Sequence, residues 1–205
     1  MSSQHAIIIR KALAVVRPQF RLDFNEGIHG LPHWARVWHH GRALAASLDV
    51  NPAVLAWFAF LHDSQRHNDR RDPQHGDRAA DFAVGLRRVG LIVELNDVEF
   101  EHLCEAMRLH SDGHTESEPA IIACWDADRL DLGRVRINPD PKKLCTAYGR
   151  DPATITAAVR MSDGRRRSGA ESLNGLLAVS SESLGSSVDA HLGGFMAQGE
   201  CYLGW

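Results

Sequence analysis

Residues 51–63 read NPAVLAWFAFLHD, and this stretch decides the fold of the chain. Its first two residues, Asn-Pro, are typical of a helix N-terminus, where asparagine caps the backbone and proline occupies the first helical position. The helix that follows, residues 53–62, is apolar almost all round, which predicts a buried central helix. His62 and Asp63 close it. Two polar groups in such a place need partners, and a metal ion would satisfy both.

Helical patterns recur on both sides of this stretch, and no segment alternates convincingly between apolar and polar residues as a strand would. Residues 33–48 carry an apolar stripe at helical spacing. Asn96-x-x-Glu99 has the form of a capping box that begins another helix. The sequence therefore predicts an all-α fold, with further helices over residues 4–16, from 72 onward, over 96–110 and from a cap at Ser117 onward.

The pattern changes from about Ile137. Prolines and glycines interrupt it, and residues 168–205 are rich in serine and glycine with isolated apolar residues. Residues 153–159 are compatible with a short helix, and residues 172–180 with a marginal one. We therefore predict two parts: an all-α domain over residues 1–148, and a low-complexity, partly disordered C-terminal tail over residues 149–205.

Composition limits the classes of partner and location. The net charge of −3 is too small to indicate a nucleic-acid or membrane partner, and the longest apolar run, Pro52–Leu61, is about half of a bilayer-spanning helix. The apolar patch at residues 6–9 is not a secretory signal. The four cysteines form no C-x-x-C pair, which favours reduced thiols in a cytoplasmic protein. The triplet Arg165–Arg167 lacks interleaved aromatic residues and is interpreted as a solvated run.

Three predicted helices each contribute candidate metal ligands. His33 begins one helix, His62 and Asp63 end the apolar one, and Asp128 lies in the string ADRLD at residues 127–131. Two neutral nitrogen donors and two carboxylates make a plausible divalent-metal site with open positions for water and substrate. An open metal site favours hydrolytic chemistry over structural support.

The order H…HD…D resembles the HD superfamily of metal-dependent phosphohydrolases, over most of the first 135 or so residues. The resemblance implies an HD-domain-like helical bundle in which His33, His62, Asp63 and Asp128 bind the metal. Three strings look like bacterial HD-domain proteins described only as hypothetical phosphohydrolases, and such a resemblance supplies no substrate. These strings are HGLPH at 29–33, HGDRAA at 75–80 and CWDADRLDLGR at 124–134.

Asp126 is the rival to Asp128 as the fourth ligand. Residues that lie two positions apart on a helix point to different faces, so only one of the pair is expected to reach the site. The A-D-x-L-D resemblance favours Asp128 and leaves Asp131, one turn later, to orient a histidine or an arginine.

Two further histidines bear on the number of metal ions. His75 and His110 lie in regions from which binuclear HD domains take ligands for a second metal, whereas mononuclear members use such positions to contact phosphate or position water. His114 is a further candidate that is equally compatible with a surface role, a role that fits His75 and His110 less well. The sequence leaves one or two ions per chain open. It also leaves open Mn²⁺, Mg²⁺, Fe²⁺ or Zn²⁺, because mixed nitrogen and oxygen ligands do not choose among them.

Arginines beside these motifs are the candidate contacts for substrate phosphate. Guanidinium groups bind phosphate oxygens in pairs and stay charged at any working pH. Arg66 departs from the common family form, in which a glycine–lysine step follows the HD pair, so a role copied from that lysine is in doubt. The candidates are Arg36, Arg66 and Arg129.

The resemblance implies hydrolysis of a phosphate ester or anhydride of a small molecule or nucleotide. By that resemblance Asp63 helps to activate water as well as to bind metal, His110 or His75 carries a proton, and arginines such as Arg66 balance charge on the phosphoryl oxygens. Two alternatives stay open: a di-iron oxygenase, for which His75, His110 or His114 would complete the ligands, and a sensor that binds a nucleotide without turnover. The substrate, the oligomeric state and the role of the tail are left undecided.

Overall fold

A computed structural model describes residues 3–163 of the chain, and this part is all-α, as predicted. Two 3-10 segments, Leu130–Val135 and Pro141–Lys143, join the helices in the last third. Between residues 3 and 163, no helix has both the length and the apolar character to cross a bilayer. The helices are α1 (Ser3–Val16), α2 (Leu31–Leu48), α3 (Pro52–Leu61), α4 (His75–Arg88), α5 (Asp97–Leu109), α6 (Pro119–Arg129), α7 (Ala147–Arg150) and α8 (Pro152–Asp163).

Helix α3 is the centre of the fold, as its composition predicts. Every residue from Ala53 to Leu61 is buried, and α1, α2, α5 and α6 all pack against the helix. The side chain of Asn51 caps it by accepting a hydrogen bond from the backbone N–H of Ala53 at 3.0 Å. Because α3 is covered on all sides, the polar residue at its C-terminal end needs a defined set of partners. This requirement fixes the position of His62.

Side-chain capping marks the starts of α3, α5 and α7, and two other helix starts differ from expectation. Asn96 and Glu99 form the predicted capping box, each side chain accepting from the other residue's backbone N–H at 2.9 Å. Helix α6 is capped by Glu118 rather than Ser117, because Pro119 takes the first helical position. Helix α4 begins at His75, later than the predicted start at residue 72.

Four tryptophans fill the core between these helices. Each is buried to 1% exposure or less, which agrees with their helical spacing and with a packing role rather than base stacking. The cysteines at 104, 124 and 145 are free thiols, the first two buried. The tryptophans are Trp34, Trp38, Trp57 and Trp125.

The folded part extends past the predicted boundary at residue 148. Helix α8 packs against the 3-10 segment Leu130–Val135, where Ala158 is fully buried. Gly133 permits this contact, because a Cβ there would lie 2.7 Å from Cβ of Ser162. Residues 149–163 therefore belong with the helical domain. The rest of the predicted tail, residues 164–205, lies outside the described residues, as do the arginine triplet and the helix expected near 172–180.

Candidate metal centre

Three helix ends bring the predicted ligands together. His33 lies in the first turn of α2, His62 is the residue that ends α3, and Asp128 lies in the last turn of α6. Because α3 packs against both α2 and α6, these ends meet. His33, His62 and Asp63 are buried to 2% exposure or less, and the side chain of Asp128 is 14% exposed.

The spacing of the four side chains suits a shared cation. Nε2 of His33 lies 3.1 Å from Nε2 of His62, 3.6 Å from Oδ2 of Asp63 and 3.4 Å from Oδ1 of Asp128. Nε2 of His62 lies 3.6 Å and 3.8 Å from the same two oxygens. Ligands about 2.1 Å from a tetrahedral or octahedral ion lie roughly 3.0–3.5 Å from one another. His33, His62 and Asp128 therefore converge as one group, while Asp63 contacts both imidazoles and groups with His62 and His110.

The tautomers of the two histidines show which of their nitrogen atoms are free to bind a cation. Nδ1 of His62 donates to the carbonyl of Phe58 at 3.1 Å, and Nδ1 of His33 donates to Oδ2 of Asp131 at 2.7 Å. Each Nε2 of the neutral rings consequently carries a lone pair, and the two lone pairs face each other. Oδ1 of Asp128, also at this point, is buried without a hydrogen-bond partner. A cation would satisfy all three atoms, so the residues fit a divalent metal.

Electrostatics keep these groups in the metal-binding protonation state. Burial lowers the pKa of His62 to about 3, and burial together with Arg134 lowers the pKa of His33, so both rings are neutral at pH 7. Burial alone would raise the pKa of Asp128, but Arg134 and the two imidazoles lower it to about 2. Burial opposes ionisation of Asp63 as well, yet the surrounding imidazoles hold its pKa well below the usual value.

Hydrogen bonding separates the two rival aspartates. Oδ1 of Asp126 accepts from the backbone N–H of Cys145 at 2.8 Å, and Oδ2 accepts from the N–H and hydroxyl of Thr146 at 2.9 and 2.7 Å. Asp126 is fully buried against the start of α7 and holds that segment to α6. Asp128 alone of the pair reaches the imidazoles, as the sequence pattern favours.

A second group of ligand atoms adjoins the first through Asp63. Nε2 of His75 lies 3.2 Å from Oδ1 of Asp63 and 2.8 Å from Nε2 of His110, which is itself 3.7 Å from that oxygen. Burial acts to lower the pKa of His110, but its hydrogen bond to Asp63 raises it overall. Both predicted histidines therefore reach the site, whereas His114 is exposed and lies outside it.

A cavity of about 360 Å³ opens beside both groups of ligands. Asp63, Asp128 and His110 form part of its wall, so the candidate metal centre faces the cavity. An apolar portion of the wall comes from Leu132, Ile137 and Pro139. The cationic side chains in the lining are Arg66, Arg129, Arg134 and Lys143.

Arg36 is the predicted phosphate contact that the structure places elsewhere. Its Nε and Nη2 donate to the two oxygens of Asp131 at 2.6 and 3.1 Å, and it is not part of the cavity wall. Asp131 is fully buried and also holds His33, which is the orienting role that its position predicts. Arg36 therefore does not contact the candidate metal centre directly. It pairs with Asp131, the carboxylate that holds His33.

Arg66 and Arg129 do lie at the cavity. Nε of Arg66 donates to Oδ1 of Asp63 at 2.7 Å. Nη1 of Arg129 donates to the carbonyl of Lys143 at 2.8 Å, while its Nη2 is buried without a partner. Both residues thereby add positive charge to the cavity wall, which favours an anionic ligand.

Three residues of the site were not predicted. His29 is 7% exposed and its Nδ1 lies 2.7 Å from Oδ2 of Asp63. Arg134 is fixed by bonds from Nε and Nη1 to backbone carbonyls, and its Nη2 lies 3.7 Å from Oδ1 of Asp128. Lys143 enters from the 3-10 segment Pro141–Lys143. His29 precedes α2, so helical periodicity does not identify it. The available signal was its position four residues before His33.

Comparison of the chain with protein-family models, with curated protein sequences and with solved structures returned no match. The resemblance to the HD superfamily thus stays a prediction from the motifs.

Proposed function

We propose that this protein is a metal-dependent phosphohydrolase that acts on a phosphate ester or anhydride of a small molecule or nucleotide. One observation carries the proposal. The Nε2 lone pairs of His33 and His62 face each other at 3.1 Å beside an unpartnered oxygen of Asp128, and Asp128 forms part of the wall of a cavity lined by four cationic side chains. A cation site that opens onto an anion-binding cavity is the arrangement that phosphoryl transfer to water requires.

The metal would be held by His33, His62, Asp63 and Asp128. When bound, a divalent ion supplies Lewis acidity toward a phosphoryl oxygen and lowers the pKa of water in the site. Asp63 is oriented for this by His29 on one oxygen and by Arg66 on the other. The donor set admits Mn²⁺, Mg²⁺, Fe²⁺ or Zn²⁺.

The remaining polar groups of the cavity wall act on the substrate. Arg129, Arg134 and Lys143 bind the phosphate oxygens and balance the charge that grows on them during transfer. His110 exposes its ring in the cavity wall, where its Nε2 can pass a proton to the departing oxygen. Arg66 orients Asp63 and adds positive charge at the same wall.

The dimensions of the cavity define the class of substrate. A volume of about 360 Å³ lies at the small end of ligand pockets and matches a compact organic phosphate. The apolar wall of Leu132, Ile137 and Pro139 would contact a base or another flat apolar group. The free thiols at 104, 124 and 145 agree with a reducing compartment, and we propose the cytoplasm as the location.

The test combines metal analysis with a substrate screen. The purified chain is loaded in turn with each of the four metals and assayed for phosphate release from nucleotides and phosphomonoesters. We expect release that Asp128→Asn abolishes and that His114→Ala, a change at an exposed histidine outside the site, leaves intact. Equal rates for the native chain and Asp128→Asn would contradict the proposal. Nucleotide binding without release would favour a non-catalytic sensor.

One observation favours a second candidate, the di-iron oxygenase. His75 and His110 converge on Oδ1 of Asp63 with spacings of 3.2 and 3.7 Å, which would suit a second ion. Two irons per chain, an absorption spectrum of coupled iron and substrate-dependent oxygen uptake would support that chemistry. One ion per chain and metal-dependent phosphate release would exclude it.

A further inference from the structure

The second group of ligand atoms already holds a cation from the protein. We propose that the guanidinium of Arg66 takes the place of a second metal ion, so that the chain binds one divalent ion tightly and not two. The inference rests on the proposed metal centre formed by His33, His62, Asp63 and Asp128.

Arg66 is fixed where a second ion would bind. Its Nε donates to Oδ1 of Asp63 at 2.7 Å, and its Nη2 lies 3.3 Å from Nε2 of His75. Its Nη1 is anchored by the carbonyl of Arg70 at 3.2 Å. With 11% of its side chain exposed, the guanidinium is largely enclosed. Two of the three atoms that a second ion would need therefore accept hydrogen bonds from Arg66.

The tautomer of His75 makes its bond to Arg66 directional. Nδ1 of His75 faces the carbonyl oxygen of Asp72, so this nitrogen carries the proton and Nε2 carries the lone pair. That lone pair lies 3.3 Å from Nη2 of Arg66, 2.8 Å from Nε2 of His110 and 3.4 Å from the hydroxyl of Ser111. A metal ion could bind Nε2 only by displacing the guanidinium.

Three atoms of the first group, the Nε2 atoms of His33 and His62 and Oδ1 of Asp128, lack such a donor. Nε2 of His33 has only Nε2 of His62 and carboxylate oxygens around it, and Oδ1 of Asp128 has no hydrogen-bond partner. The nearest guanidinium nitrogen, Nη2 of Arg134, is 3.7 Å from Asp128, beyond a hydrogen bond. Within residues 3–163 the first group thus has unmet acceptors, whereas the second has Arg66.

Charge leads to the same assignment. Asp63 is the only carboxylate in the second group, and it would be shared with the ion in the first group. Its remaining oxygen, Oδ1, is already paired with Arg66. A second divalent ion would add two positive charges beside a guanidinium that stays protonated at every working pH, with no further carboxylate to compensate.

The test counts metal ions in matched variants. The full chain is titrated with Mn²⁺ and with Zn²⁺, and bound metal is measured by calorimetry, by elemental analysis after gel filtration and, for Mn²⁺, by the spin coupling of paired ions. We expect one tight ion in the native chain and two in Arg66→Gln. Arg134→Gln is the control, since it removes another guanidinium beside a ligand, and it should keep one ion.

Two results would overturn the inference: two tight ions in the native chain, or a single ion in folded Arg66→Gln. If Arg66→Gln does not fold, His75→Ala provides the test. Because His75 is not a ligand of the single ion in our proposal, His75→Ala should bind one ion with native affinity. A lower metal affinity or a lower number of bound ions in His75→Ala would contradict the inference. One bound ion without phosphate release would count against the proposed hydrolase and leave this inference standing.

Discussion

Nδ1 of His33 and Oδ2 of Asp131 lie 2.7 Å apart, and both residues are fully buried. This contact fixes the proton on Nδ1 and turns the lone pair of Nε2 toward His62. Asp131 holds two other groups as well, the guanidinium of Arg36 and the hydroxyl of Ser162. One carboxylate therefore ties α2 and α8 to the metal centre.

Asp131→Asn should weaken metal binding although Asp131 is not a ligand. An amide keeps the shape but removes the charge that makes His33 a strong donor and that pairs with Arg36. Loss of such a supporting carboxylate costs roughly 10–100-fold in metal affinity, which calorimetric titration with Zn²⁺ or Mn²⁺ will measure. Asp97→Asn, at a carboxylate that is 93% exposed, is the control and should bind normally. Native affinity in Asp131→Asn would contradict the assignment.

The two aspartates of α6 should separate binding from stability. Asp128→Asn is expected to lower metal affinity roughly 100-fold or more, because the unpartnered oxygen is a ligand. Asp126→Asn should lower the free energy of unfolding by roughly 2–3 kcal/mol, since its amide turns a donor toward the N–H groups of Cys145 or Thr146. Chemical denaturation and metal titration of both variants provide the check. If Asp126→Asn folds normally and loses the metal, the ligand assignment is reversed.

Arg134 and Arg36 should have opposite effects. Arg134→Gln removes a cavity guanidinium 3.7 Å from Asp128, so kcat/KM for a phosphate substrate should fall roughly 10–100-fold while metal affinity holds or rises. Arg36→Gln removes a partner of Asp131 instead, so metal affinity should fall. Steady-state kinetics at saturating metal, together with titrations, distinguish the two. A loss of metal affinity in Arg134→Gln would show that it supports the centre rather than the substrate.

Sequence patterns were sufficient for the elements whose cause is local. The apolar run that forms α3, the capping box at Asn96 and the helical position of Asp128 each depend on residues within one or two turns. The same local patterns placed His33 and His62 at helix ends, which the fold brings together. The choice of Asp128 as the partner of these residues came from the resemblance to the HD superfamily, and the ligand role of the four residues stays a prediction.

Other parts of the site depend on contacts between distant segments. Arg36 lies in the same helix as His33, one turn later, but the direction of its side chain is set by Asp131, 95 residues later. His29 reaches Asp63 from a loop that has no periodicity. The packing of α8 is made possible by the absence of a side chain at Gly133. The number of prolines and glycines in this part of the sequence cannot reveal such a contact. Charge and composition alone could not assign these roles.

His40 should make the metal-free protein less stable in mild acid. Burial lowers its pKa from 6.5 to about 4, an effect that Asp131 opposes and that His39, Arg36 and His33 reinforce. Between pH 6.5 and pH 4 the unfolded chain therefore binds a proton at this residue that the folded chain does not. The free energy of unfolding is expected to fall across this window by about 3 kcal/mol from this residue.

Denaturation in chelator at a series of pH values tests this. Nε2 of His40 is buried without a partner, so His40→Leu removes a titrating group and leaves no donor or acceptor behind. The dependence of unfolding free energy on pH should be shallower between pH 4 and 6.5 in His40→Leu than in the native chain. His114→Gln, at an exposed histidine outside the site, should change the slope little. An unchanged slope in His40→Leu would refute the role of burial.

Truncation should locate the end of the folded domain after α8 and not at residue 148. A chain that ends at residue 163 keeps Ala158 buried and keeps the hydroxyl of Ser162 on Asp131 at 2.8 Å. We expect it to match the full chain in unfolding free energy and in metal affinity. A chain that ends at residue 148 uncovers the 3-10 segment Leu130–Val135 and removes that support from Asp131, so both quantities should fall.

Gly133→Ala provides the matched test within the full chain. Its methyl group would meet Cβ of Ser162 at 2.7 Å, so α8 must move away and the bond from Ser162 to Asp131 must lengthen. Metal affinity should then fall in the same direction as in the chain that ends at 148, while Gly85→Ala, on a face of α4 with open space around it, should have no such effect. Full metal affinity in both the shorter chain and Gly133→Ala would show that α8 is not coupled to the metal centre. The bond to Asp131 is the described hydrogen bond through which Ser162 could act on His33.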